Sequence, residues 1–129
     1  MKKRIILSSM AAFLLLCGCQ ENIDERITRE LQEYSRRNCP NRIGNQVLDS
    51  TAYDVKTRTI LYYYTLDEDL DSIVRARSEE MTDALRKSLK EDLTTKYYKE
   101  NQVNFQYIYR SYDGKKEVLN ILFTPKDYK

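Results

Sequence analysis

Ile60-Leu61-Tyr62-Tyr63-Tyr64-Thr65-Leu66 is the stretch on which the fold turns. It is almost entirely β-branched, aromatic or leucine, the composition of a half-buried strand. Strand alternation puts Ile60, Tyr62, Tyr64 and Leu66 on one face and Leu61 and Tyr63 on the other. Upstream, Val47 to Val55 reads as a second strand, and the polar Lys56 to Arg58 as the turn between them. The two form a hairpin.

Working outward, Gln20 to Asn38 carries Ile23, Ile27, Leu31 and Tyr34 at helical spacing. Glu21, Asp24 and Glu25 lie in its first turn and Arg36 and Arg37 in its last, as the helix dipole prefers. Pro40 forbids continuation. Downstream, Asp67-Glu68-Asp69-Leu70-Asp71 opens a second helical region, with an apolar stripe through Leu70, Val74, Met81, Leu85, Leu89, Leu93 and Tyr97. The stripe lapses at Arg77 and Ser78, so one helix to about Lys99 and two helices joined near Ser78 are both open readings.

The last segment is a hairpin about Asp113-Gly114. A three-residue loop, Tyr112-Asp113-Gly114, pairs Val103 with Phe123, Phe105 with Ile121 and Tyr107 with Leu119 on one face. A two-residue loop would split the apolar residues between faces, and the buried face decides register. The three-residue loop also gives Gly114 the left-handed position of a bulge-type hairpin. The order helix-strand-strand-helix-strand-strand predicts one small α+β domain: a four-stranded antiparallel sheet with helices packed on one face.

Ahead of this domain stands MKKRIILSSMAAFLLLCGC, Met1 to Cys19. Lys2, Lys3 and Arg4 precede a short apolar run, Ile5 to Leu16, shorter than the ~20 residues a membrane span needs. This is the pattern of an export signal. Leu16-Cys17-Gly18-Cys19 resembles the lipobox of bacterial lipoproteins, with leucine at −3 and a small residue at −1. Placing the box on Cys17 would put bulky Leu16 at −1, so Cys19 fits it better. The resemblance implies cleavage between Gly18 and Cys19, diacylglycerol on the Cys19 sulfur and an acylated (palmitate-type) amino group. Residues 1–18 would then be removed and 19–129 would form the lipid-anchored domain. Gln20 after the cysteine, rather than Asp, implies outer-membrane delivery under the enterobacterial sorting pattern, and Glu21, Asp24 and Glu25 are similar to surface-export signals of some lipoproteins. The periplasmic and surface faces both stay open.

Losing Lys2, Lys3 and Arg4 takes the net charge from +2 to −1, so the chain's basicity belongs to its targeting segment and gives no reason to expect nucleic-acid binding. The sequence has no histidine, which removes the commonest general base and the Ser-His and Cys-His nucleophile pairs. No cofactor is expected. Cys39 is the cysteine left over after lipidation, and an intermolecular disulfide is the one covalent pairing open to it. Asp67, Asp69 and Asp71 begin like a calcium loop, but Ser72 and Ser78 stand where that loop needs glycine and a bidentate glutamate.

The run Cys39-Pro40, Val47-Leu48-Asp49-Ser50-Thr51, Ile60 to Leu66, Tyr109, Asp113-Gly114 and Ile121 resembles a loose group of small exported bacterial proteins of unknown function. That resemblance implies a fold and no activity. Among function classes the sequence favours a non-enzymatic binding module with an envelope protein partner. A structural accessory subunit of an envelope assembly is the alternative, and a hydrolase built on Glu79, Glu80 or Asp83 is the remotest. Tyr63, on the strand face opposite Tyr62 and Tyr64, and Ile108, apolar on the even face of the last hairpin, are the candidate interaction residues. The competing reading has the N-terminal helix covering Tyr63.

Overall fold

A computed structural model describes residues 21–129. Gly18 and Cys19 lie outside the described residues. Helix α1, Ile23–Asn38, starts later than the expected Gln20 because Asn22 caps it: its side-chain oxygen accepts the Glu25 N–H at 2.8 Å. Ile27 and Leu31 in the middle of the stripe are buried, while Ile23 and Tyr34 at its ends are exposed.

The sheet has five strands in sequence order, β1 (Asn41–Ile43), β2 (Gln46–Asp54), β3 (Thr59–Leu66), β4 (Asn104–Arg110) and β5 (Glu117–Phe123). Two features correct the expectation of four antiparallel strands. β1 is an added strand, three exposed residues turned back on β2 through Gly44, whose φ of 62° suits glycine. It escapes notice in the sequence because it has no apolar alternation. The second correction is that β3 and β4 are parallel, while the other neighbours are antiparallel. The whole helical segment between them carries the chain back to the starting end of the sheet, as parallel neighbours require.

That segment breaks twice. Helix α2 (Asp71–Ala76) ends at Arg77, and α3 (Ser78–Glu91) follows, which settles the break near Ser78. A second break replaces the expected run to Lys99. The Asp92 side chain accepts the Thr94 N–H at 2.9 Å and starts a 3-10 turn, Leu93–Thr95, followed by α4, Lys96–Glu100. The Lys99 ammonium folds back to donate to the carbonyls of Leu89 (2.6 Å) and Asp92 (2.9 Å), which the end of α3 leaves without helical partners. A short terminal helix α5, Pro125–Tyr128, is held by a Thr124–Asp127 capping box and by the Tyr128 hydroxyl donating to the Val103 carbonyl at 2.8 Å.

The odd face of the last hairpin is core, as the sequence predicts: Phe105, Tyr107, Tyr109, Ile121 and Phe123 are all buried. The pairing is offset by two residues, with Phe105 opposite Phe123 and Tyr107 opposite Ile121. The connection is longer than three residues. It runs Ser111–Lys116, because the buried Ser111 hydroxyl donates to Asp113 and accepts the Lys116 N–H, closing a wider loop, and a bulge follows between Tyr109 and Arg110. Gly114 keeps its left-handed φ of 73°. The helices pack on one face of the sheet, where Ile27, Leu31, Val74, Leu89 and Tyr128 join the strand residues in one apolar core.

Candidate functional site

Among the described residues, no helix packs on the face opposite this core. Register places Tyr63 directly beside Ile108 across the parallel β3–β4 pair, so the two residues singled out in the sequence are neighbours. α1 packs on the other face: the Tyr53 hydroxyl donates to Asp24 at 2.7 Å and the Thr51 hydroxyl donates to the Leu31 carbonyl at 3.0 Å. Tyr53 and Thr51 share the face of Ile60 and Tyr62, so α1 does not cover Tyr63. Ile108 departs from its reading as an exposed side chain. It is only 8% exposed although it stands apart from the helix-covered core, because it sits mid-sheet between Tyr63 and Asn120. Leu122, nearby on the same face, is 51% exposed. Gln106 donates to Asn120 at 2.7 Å and Thr65 to Asp49 at 2.6 Å, so polar pairs border the apolar centre.

The helix side holds a second candidate that the sequence reading missed. Two ring stacks cross the parallel seam there, Tyr62 on Tyr107 (centroids 4.9 Å apart) and Tyr64 on Tyr109 (4.8 Å). Above Tyr62 a cleft of about 310 Å³ opens between α1, which supplies Glu30, Leu31 and Tyr34, and the 3-10 turn and α4, which supply Asp92, Thr95 and Tyr98. The Tyr98 hydroxyl donates to Glu30 at 2.6 Å and ties the two walls together. Beside this tie the Arg26 guanidinium lies over the Tyr97 ring, 4.0 Å from its centre, and donates to Glu30 at 2.7 Å. Burial pulls the Glu30 carboxyl upward, but the hydrogen bonds from Arg26 and Tyr98 outweigh it and hold the group below the ordinary carboxylate range. Burial pushes the Tyr62, Tyr98 and Tyr107 hydroxyls well above the ordinary phenol value, so they remain neutral donors at the pH of life. The cleft is therefore aromatic, uncharged at its floor and edged by carboxylates. It can hold an apolar side chain and offer hydrogen bonds around it. A signal for it exists in the sequence: tyrosines at i and i+2 in both strands, Tyr62 and Tyr64, Tyr107 and Tyr109.

Cys39 is half-buried at the end of α1, and burial raises its thiol pKa, which disfavours the reactive thiolate. Glu79, Glu80 and Asp83 lie along α3 with their side chains toward solvent. Asp83 pairs with Arg86 at 3.0 Å. Among the described residues no helix is long and apolar enough to cross a membrane.

The sequence matches a family described as a domain of unknown function, DUF8479, over residues 22–120, from the cap of α1 into β5. The chain belongs to that family. No curated protein matches it in sequence. Three solved structures share the fold of this DUF8479 domain. A protein of Pseudomonas aeruginosa described as secreted, PA3611, superposes with a TM-score of 0.69 at 10% identity, covering 85% of this chain and all of its own. The pilotin EpsS of the Vibrio vulnificus type 2 secretion system gives 0.67 at 10% identity, over 82% of this chain and 91% of its own. The type II secretion system pilotin AspS of Vibrio cholerae gives 0.63 at 12% identity, over 87% and 97%. At these identities the likeness is one of fold.

Proposed function

We propose that this DUF8479 protein is a non-enzymatic accessory protein of the bacterial envelope, tethered by lipid on Cys19, that binds a segment of a partner envelope protein. The observation that carries the reading is the tyrosine-floored cleft between α1 and α4, of a size to take one or two large apolar side chains. Two supports stand beside it. The fold is shared with pilotins of two secretion systems, and the lipobox at Leu16-Cys17-Gly18-Cys19 supplies an envelope address. Since α1 is capped at Asn22, a lipid on Cys19 would hold the domain close to the bilayer.

A second reading puts the partner on the open face around Tyr63 and Ile108, favoured by the exposed Leu122 beside them. A photo-crosslinking residue at Thr94, an exposed cleft position, and another at Tyr63, on the open face two strands from β5, separate the two in intact cells. One discrete adduct from Thr94 alone is expected. An adduct from Tyr63 alone would transfer the site to the open face, and none from either would end the reading of a partner at the cleft or on that face. The anchor is tested apart from the site: Cys19→Ser should abolish acyl labelling and release the protein to the soluble fraction, and Cys17→Ser should do neither.

A further inference from the structure

The edge of the sheet offers a different docking mode. In the parallel pair the Asn104 N–H donates to the Arg58 carbonyl at 2.8 Å, so the backbone groups of Asn104, Gln106 and Ile108 face β3. Those of Phe105, Tyr107 and Tyr109 then face β5, and their partners Phe123, Ile121 and Leu119 face back. Strand alternation leaves the N–H and C=O groups of Asn120 and Leu122 directed outward, and among the described residues β5 is the last strand of the sheet.

Proteins usually blunt such an edge with lysine, proline or brevity. β1 at the opposite edge is blunted by being three residues long. β5 is seven residues long, Glu117–Phe123, reads EVLNILF, and has none of these devices. Alongside it runs a groove of about 500 Å³, with β5 on one side and the first half of α3 on the other. Glu79 and Asp83 form the helix wall. Arg86 is shared between Asp83 (3.0 Å) and Asp127 (3.9 Å), and among the described residues Glu79 makes no salt bridge, so its carboxylate is available to an incoming cation.

We propose that the β5 edge accepts an extended, basic peptide segment as a sixth strand of the sheet. Main-chain hydrogen bonds to Asn120 and Leu122 would hold it. Alternate side chains would point to the two faces: lysine or arginine toward Glu79 and Asp83 on the helix side, and an apolar residue beside Leu122 on the open side. This inference depends on neither the cleft nor the lipid anchor.

The test uses residues 20–129 with a soluble heptapeptide of alternating lysine and valine, and a glutamate–valine counterpart. Amide exchange is followed by NMR. The lysine peptide should slow exchange at Asn120 and Leu122 at least tenfold, and raised salt should weaken the effect. The glutamate peptide should not protect them. In Glu79→Lys/Asp83→Lys the preference should reverse, and since both positions are exposed on a helix the fold should persist, which the unchanged remainder of the spectrum would verify. No protection by the lysine peptide, or equal protection by both peptides, would overturn the proposal. Protection that rises with protein concentration alone would overturn it in favour of β5 pairing with a second copy of the chain.

Discussion

The two faces of this sheet are made by the same strands yet solve different problems. On the helix side, Ile60, Phe105, Tyr109 and Phe123 are almost completely buried beneath α1, α2, α3 and α5. On the other side Ile108 is 8% exposed with no helix above it among the described residues, flanked by Tyr63 and Asn120 in the sheet. Low exposure therefore has two origins here. A side chain closed in by a second layer leaves a cavity when it is shortened, whereas one screened by flanking side chains leaves a dent that water fills.

Substitutions can separate these cases. Phe105→Ala should show the largest effect, about 3–5 kcal/mol from denaturant unfolding, because the ring is enclosed and packs edge-on against Tyr128. A loss below ~1 kcal/mol would mean that the helix layer is loosely seated.

The second test uses the tyrosines of the helix side. Burial is the largest cause in each case: it raises Tyr64 to about 12 and pushes Tyr107 and Tyr109 higher, and together with the Asp24 hydrogen bond it raises Tyr53 to about 12. Unfolded tyrosines lose their protons near pH ~10. Above that pH the native state binds more protons than the unfolded state, so stability should be intact below pH ~10 and fall as pH rises through it toward 12, by about 1.4 kcal/mol per pH unit for each proton withheld. Urea midpoints measured between pH 8 and 12, with tyrosinate absorbance, check this. A flat profile would show that these rings are reached by water.

Ile108→Ala comes next, at about 1–2 kcal/mol, below the ~2–5 kcal/mol of an enclosed position. A cost as large as that of Phe105→Ala would show that something covers the open face. Leu122→Ala should change stability by less than ~0.5 kcal/mol, as at ordinary surface positions. A larger loss there would erase the distinction between the faces.

Much of the layout is legible in the sequence because local signals carry it. The run Ile60 to Leu66 fixes β3 and its faces, the stripe of Ile27 and Leu31 fixes α1, and the odd-numbered apolar residues of 105–123 choose the buried side of the last hairpin. What escapes is set by distant partners or by single side chains. Two hairpins joined by a long helical segment can meet in either sense, and nothing in 60–66 or 104–110 records that β3 and β4 run parallel. The tyrosine stacks, and with them the cleft, exist only once that sense is known. Likewise, one Asp92 oxygen ends α3 where the apolar pattern continues, and one Ser111 hydroxyl widens a loop that sequence economy would make shorter.

The parallel seam also has a consequence for how the chain finds its structure. Residues 23–66 can assemble α1 and three strands through contacts near in sequence, and β4 with β5 can close as a hairpin. Joining the halves requires the ends of segment 67–103 to be brought together, with the loop-closure entropy that entails. We expect β3–β4 registry to be the late, rate-limiting contact, and folding to be slower than for a helical protein of this length. Until it forms, the inner edges of both halves, β3 and β4, stand unpaired, and the time spent in that condition sets how long the chain is open to joining the wrong strand.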